Sequence, residues 1–194
     1  MVLVAAVITG LLLGIGRAWV NKREYRVYDL KAPALVLLAF IPQFLIFYLP
    51  ATRSRIPETT ASILFVSSLI ILIAFSLLNI RKTSFWSVTA GFLLNVVVIL
   101  SNGGWMPISP QTAQKILPAG SVDALQIGQR IGYSKDILLT REETRLWFLS
   151  DRLTLPQWIN YGVAFSVGDL LLFIGVIWLL WSLGGKASEV HKEN

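Results

Sequence analysis

The sequence predicts an all-α protein, a polytopic transmembrane helix bundle of about five spans with one long outer loop carrying short interfacial helices. Three observations predict it. Of 194 residues, 55% are apolar and 14% charged, and the mean hydropathy is +0.65, more oil than a soluble domain of this length buries. The apolar residues form continuous runs, which suit helices that satisfy every backbone group internally. The basic residues collect at the ends of those runs, so the net charge of +6 and pI near 9.8 express membrane topology and not an affinity for nucleic acid.

A helix needs roughly 17 to 25 apolar residues to cross the hydrocarbon core. Five runs are taken as spans, at 1–16, 32–50, 61–80, 85–100 and 163–183, with residues 101–162 as the outer loop and the whole chain, 1–194, as one membrane domain. The first run lacks a basic leader and has its positive charges downstream, so it reads as a retained anchor rather than a secretory signal. Pro33 suits the first turn of the second span. Pro42 in its middle removes a backbone hydrogen bond and predicts a kink.

Arg17, Lys22, Arg23, Arg26, Lys31, Arg81, Lys82, Lys186 and Lys192 fall on one side of this arrangement, against Arg53 and Arg55 in the short link on the other. The excess of Lys and Arg in short cytoplasmic segments then places the N-terminus outside and the C-terminus inside. Aromatic residues agree with that orientation: Trp19, Tyr25, Tyr28, Trp86, Trp178 and Trp181 lie near the inner interface, and Tyr48, Trp105, Trp158 and Tyr161 near the outer one, where amphipathic rings sit at headgroup level.

The outer loop is too long for a bare connection. Asn102-Gly103-Gly104 signals a turn after the fourth span. Ser109-Pro110 pairs a capping serine with proline at the first helical position, which predicts a helix stopping near Pro118. Thr140 and Glu143 have capping-box spacing and predict a second helix carrying Trp147 and Phe148. Trp105, Trp147, Phe148 and Trp158 are expected to anchor the loop to its bundle, while a helix lying in the interface is the competing reading. The tail after Lys186 is expected to fray.

Few residues suggest chemistry. The chain has no cysteine, and its one histidine, His191, stands near the end, so thiol chemistry is excluded and a metal site is not expected. No Walker loop, dinucleotide fingerprint or serine elbow is present, and no cofactor is specified by the residues. Asp169, at the outer start of the last span, is a functional candidate because an acid at that depth is costly. Its spacing from Ser166 is also that of a capping box. Asp151 lies close to the outer surface and, brought beside Asp169, would make an acid and base pair; its competing role is an ion pair with Arg152 or another base of the loop. Gln43 and Asn95 are amides expected to bond neighbouring helices, each contributing roughly 0.6 to 2 kcal/mol. Gly10 and Gly14 form a Gly-x-x-x-Gly pair that admits a close helix of this chain or of a partner.

Asn102 to Pro107 (Asn-Gly-Gly-Trp-Met-Pro), Leu149 to Arg152 (Leu-Ser-Asp-Arg) and Phe165 to Leu172 (Phe-Ser-Val-Gly-Asp-Leu-Leu-Leu) together resemble an uncharacterised family of small bacterial multi-pass membrane proteins, a domain of unknown function. That resemblance covers nearly the whole chain and implies a bacterial inner membrane and no activity. Phe165 to Asp169 is also similar to the start of the last span of lipoprotein signal peptidase, a membrane aspartyl protease, and Asp151-Arg152 to its upstream Asp-Arg. Ser166 stands where that family has asparagine, and no aspartate between Arg152 and Phe165 matches its first catalytic acid, Asn160 being the nearest polar residue.

The expected function is that of a non-catalytic integral membrane protein, an accessory or scaffold subunit of a bacterial inner-membrane complex whose partners are the lipid bilayer and other membrane subunits. The alternative is a membrane-embedded aspartyl hydrolase or peptidase acting at the outer leaflet through Asp169 and Asp151. A transporter or channel is disfavoured by the scarcity of charges inside the spans.

Overall fold

The computed structural model describes residues 2–25, 30–118, 120–122, 124–156, 158–159 and 161–184. Arg26, Tyr28, Asn160, Lys186, His191, Lys192 and the polar tail lie outside the described residues.

Each of the five expected runs is a helix. α1 (Val2–Val20) continues four residues past the expected span, because Arg17 lies over the Trp181 ring at 3.9 Å and donates to the Trp181 carbonyl. α2 (Ala34–Gln43) contains Pro42 and passes into a π-helical turn, Phe44–Tyr48, before the short α3 (Pro50–Arg53). The irregularity expected at Pro42 thus takes the form of a widened turn, and the Thr52 hydroxyl bonds the Leu45 carbonyl at 2.7 Å. α4 (Glu58–Leu78) begins with an acid that favours the positive helix end. It ends at Asn79, whose amide donates to the Phe75 carbonyl and exchanges bonds with the Lys31 backbone. α5 (Ser84–Ser101) is closed by the Asn102 amide on the Val98 carbonyl.

The last helix, α7 (Val167–Leu183), follows the loop. By length and composition α1, α4 and α5 are able to cross a membrane, whereas α7 and the Ala34–Tyr48 helix are shorter apolar segments. In space the neighbours run α1, α7, α5, α4, α2. α1 runs parallel to α7, since Val2 and Ala5 share a cavity with Leu170 and Phe173 while Gly14 meets Leu180 and Gly184. α5 runs antiparallel to α7, Asn95 meeting Gly168 and Ser84 meeting Gly175. The Tyr25 and Lys31 contacts lie at one end of this row, and residues 102–162 at the other.

Packing covers only part of the apolar surface. On α1 the buried residues are Ala6, Gly10, Gly14 and Ala18, a stripe at spacing four, while Ile8, Leu12 and Ile15 are more than half exposed. A helix apolar on every side yet packed on one needs an apolar solvent for the rest.

Around the 102–162 segment the described residues form strands that the sequence did not suggest. β1 (Met106–Ile108) pairs in parallel with β2 (Asp136–Leu138), and β3 (Leu153–Thr154) in antiparallel with β4 (Ala164–Phe165). Ile108, Ala113, Val122 and Leu138 make a small core of their own. α6 (Pro110–Ile116) forms where Ser109-Pro110 predicts it, with the Ser109 hydroxyl accepting from the Thr112 N–H. The helix expected from Thr140 does not form. Thr140 and Glu143 make their reciprocal bonds, but the Arg145 N–H and carbonyl are both taken by the Asn102 amide and Leu146 turns to φ +55°. Only a 3-10 turn at Trp147–Leu149 remains.

Of the expected anchors, Trp105 is buried and stacks on Phe65 at 6.0 Å. The guanidinium groups of Arg141 and Arg152 each lie over the Trp147 ring, at 4.1 and 4.7 Å from its centroid. Phe148 and Trp158 are 54% and 83% exposed.

Candidate functional site

Strand β1 leaves α5 almost directly and gathers the loop around it. The Met106 N–H donates to the Lys135 carbonyl, and the Asp151 N–H donates to the Pro107 carbonyl. Lys135 and Asp151 are thereby held near the head of α7, where Asp169 stands in the first turn. The Ser166 hydroxyl accepts from the Asp169 N–H at 2.9 Å, and the Asp169 carboxylate accepts from the Ser166 N–H at 3.4 Å, so the capping box is complete.

The two acids converge on one base. Lys135 Nζ lies 2.5 Å from Asp151 Oδ2, 3.5 Å from Asp169 Oδ2 and 3.8 Å from Asp136 Oδ1. Asp151 is buried, while the Lys135 side chain is 32% exposed. Asn95 of α5 completes the group: its amide donates to Asp169 Oδ1 at 2.7 Å and its carbonyl accepts from the Ser166 hydroxyl at 2.8 Å. Burial opposes the charged form of Lys135, but the Asp151, Asp169 and Asp136 carboxylates outweigh it and hold its pKa above the ordinary lysine value. Burial disfavours the Asp151 carboxylate, and the Lys135 ammonium beside it favours it. Asp151 Oδ1 has no hydrogen-bond partner among the described residues.

The other residues singled out from the sequence serve packing. Gln43 donates to the Ser68 hydroxyl at 2.9 Å, joining α2 to α4. Gly10 and Gly14 face α7, and a Cβ on Gly14 would sit 2.4 Å from the Leu180 carbonyl oxygen. The helix admitted by this pair is therefore the chain's own last helix. Among the described residues no cluster of three or more His, Asp or Glu is placed to hold a metal.

Residues 27–181 match a family of unknown function, DUF5317. The chain belongs to that family. No curated protein and no solved structure matches it. The DUF5317 match begins after α1 and takes in every residue of the Lys135 cluster, together with Asn95 and Ser166.

Lys135 escaped the sequence reading of this DUF5317 chain. It lies in a polar stretch without periodicity, 16 residues from Asp151 and 34 from Asp169. The available signal was indirect: a buried acid needs a base, and Lys135 adjoins the apolar Ile137-Leu138-Leu139 run that carries it inward. Arg152, the nearer candidate partner, is engaged with Trp147 instead.

Proposed function

We propose that this DUF5317 protein is a non-catalytic integral membrane protein of the bacterial inner membrane, an accessory or scaffold subunit with its N-terminus outside and its C-terminus cytoplasmic. The observation that carries this reading is the placement of Lys135 between Asp151 and Asp169. An acid and base pair for hydrolysis needs one carboxylate free to activate water; here an ammonium bridges both, and neither of the two cavities described below is lined by any of the three residues. The cluster instead clamps a folded loop onto the head of α7 and α5, leaving a fixed surface for neighbouring subunits. The basic stretch lying at the end remote from the loop supports the orientation.

Gentle solubilisation followed by mass determination tests the reading. The expected result is a discrete assembly with co-purifying membrane proteins, and a strictly monomeric chain without companions would overturn it. The hydrolase reading retains one supporting observation, the convergence of the two carboxylates with Asp151 Oδ1 unpartnered. Asp169→Asn and Asp151→Asn discriminate the two: unchanged cellular function in both variants, with loop integrity preserved, excludes acid and base catalysis by the pair.

A further inference from the structure

Two cavities adjoin beside α7 at the loop end of the bundle. The first, about 350 Å³, is lined only by apolar surface and lies between Val2 and Ala5 of α1 and Leu170 and Phe173 of α7. The second, about 550 Å³, is lined in part by Gln111, Gln114 and Lys115 of α6 and by Thr154 of β3. Leu155, Tyr161 and Val163 line both, so a polar chamber continues into an apolar slot. Each volume falls within the roughly 300 to 1,000 Å³ of small-molecule sites.

We infer that this pair of cavities binds one phospholipid of the surrounding leaflet, with its phosphate beside Lys115, Gln111 and Gln114 and one acyl chain in the slot between α1 and α7. The order of the two halves carries the argument. An ammonium and two amides suit a phosphodiester, a wall without polar atoms suits hydrocarbon, and the step between them has the polarity of a leaflet read from headgroup to tail. The surroundings fit the same depth. Tyr161, on the wall shared by both cavities, is 49% exposed and nearby Trp158 is 83% exposed, as aromatic residues are at the headgroup level. Below them Leu3, Val4 and Ile8 of α1 are exposed apolar residues that would flank the tail. No described carboxylate is paired with Lys115. A second copy of this chain would have to present a single protruding hydrocarbon group beneath an anion, which a helix face does not do.

The site also explains why two sides of α7 are built differently. Against α5 the Asn95, Ser166 and Asp169 bonds close the loop end of the seam. Against α1 the loop end of the seam holds the apolar cavity instead, and the lipid would complete the wall.

This inference rests on the membrane reading, and the test separates the two. The full chain, purified in mild detergent, is given phosphatidylglycerol or phosphatidylcholine and examined by native mass spectrometry, alongside Ala5→Trp, which fills the slot from an exposed position, and Lys115→Gln. The expected result is one lipid retained per chain with phosphatidylglycerol preferred, a loss of at least tenfold in retention for Ala5→Trp, and a drop of about fivefold in the anionic preference for Lys115→Gln. Unfolding midpoints of both variants, matching the parent, establish that they fold. Equal retention by Ala5→Trp, absence of a retained lipid, or a dimer abolished by Ala5→Trp would overturn the lipid site while leaving the membrane reading intact. A chain that stays in solution without detergent would overturn the membrane reading itself.

Discussion

Helix α7 is packed on two flanks, and the two seams use different physics. Against α5, Gly91, Gly168 and Gly175 bring the backbones together and a polar network of Asn95, Ser166, Asp169 and Lys135 is laid across the end. Against α1, Gly10, Gly14 and Gly184 achieve the same closeness, but Arg17 and Tyr25 reach backbone carbonyls of α7 only at the far end. The close packing of α1 on α7 therefore lies toward the far end and gives way to a cavity at the loop end, whereas the α5 seam is fastened at the loop end by buried charge. The difference teaches that small residues set the distance between helices while polar groups decide which end is closed. Apolar packing in a bilayer has no hydrophobic drive of its own, so the α1 seam depends on shape and the α5 seam on bonds that cost heavily when half broken.

Lys135→Met breaks the comparison most severely. It leaves Asp151 buried without its base, and removal of one partner from a buried pair costs about 3 to 5 kcal/mol, here toward the lower end because Lys135 is 32% exposed. Denaturant titration in micelles should show that loss, and trypsin should reach Arg141, Arg145 and Arg152 sooner than in the parent. Adding Asp151→Leu should recover most of the stability, because an apolar pair of similar volume replaces an ion pair at little cost. A single variant as stable as the parent would mean that the clamp contributes nothing.

Raising the pH attacks the same clamp reversibly. Lys135 has a folded pKa above its unfolded value, so the stability it contributes is fully present below about pH 10.4, the ordinary lysine pKa, and is lost as pH rises through the folded value. The loop should resist trypsin equally at pH 7 and pH 9, and the unfolding midpoint should begin to fall only above the ordinary lysine value. Lys135→Met should lack that alkaline component, a difference read from paired titrations.

The sequence made these seams legible unevenly. Continuous apolar runs disclosed the helices, and Ser166 with Asp169 disclosed the start of α7, because both signals are local: a run length and a spacing of three. Asn95 was recognisable as a bonding amide for the same reason that it is rare, a polar group in an oily run. The clamp itself was not legible. Asp151 and Asp169 stood out as acids, but Lys135 joins them through strand pairing between Met106–Ile108 and Asp136–Leu138, three-residue strands too short to show alternation. The helix expected from Thr140 failed for a similar cause, since the Asn102 amide that claims the Arg145 backbone lies 43 residues away. Local propensity is overridden where a distant partner supplies the backbone's hydrogen bonds.

On the other flank, Gly14→Val should do less damage than losing Lys135. Its Cβ would meet the Leu180 carbonyl oxygen at 2.4 Å, a backbone atom that cannot turn aside, so α1 must withdraw. Overpacking of this kind costs about 1 to 3 kcal/mol. The measurement is a cross-link between cysteines introduced at Ala6 and Phe173, whose yield should fall while trypsin resistance of the loop stays unchanged. Loss of loop protection in this variant would show that the two seams are not independent.

Gly10→Ala should have the smallest effect, although the two glycines belong to one motif. Its Cβ would lie 3.0 Å from the Leu180 Cβ and Cδ1 and 3.1 Å from the Ile177 Cα, so the leucine end can rotate and a shift of a few tenths of an ångström relieves the rest. Alanine also gains roughly 0.8 to 1 kcal/mol over glycine in helix propensity, which offsets much of the crowding. An unfolding midpoint within about 0.5 kcal/mol of the parent is expected from the same titration. A loss as large as that of Gly14→Val would show that the seam tolerates no displacement along its length, and that closeness itself, rather than the one carbonyl contact at Gly14, is what holds α1 in place.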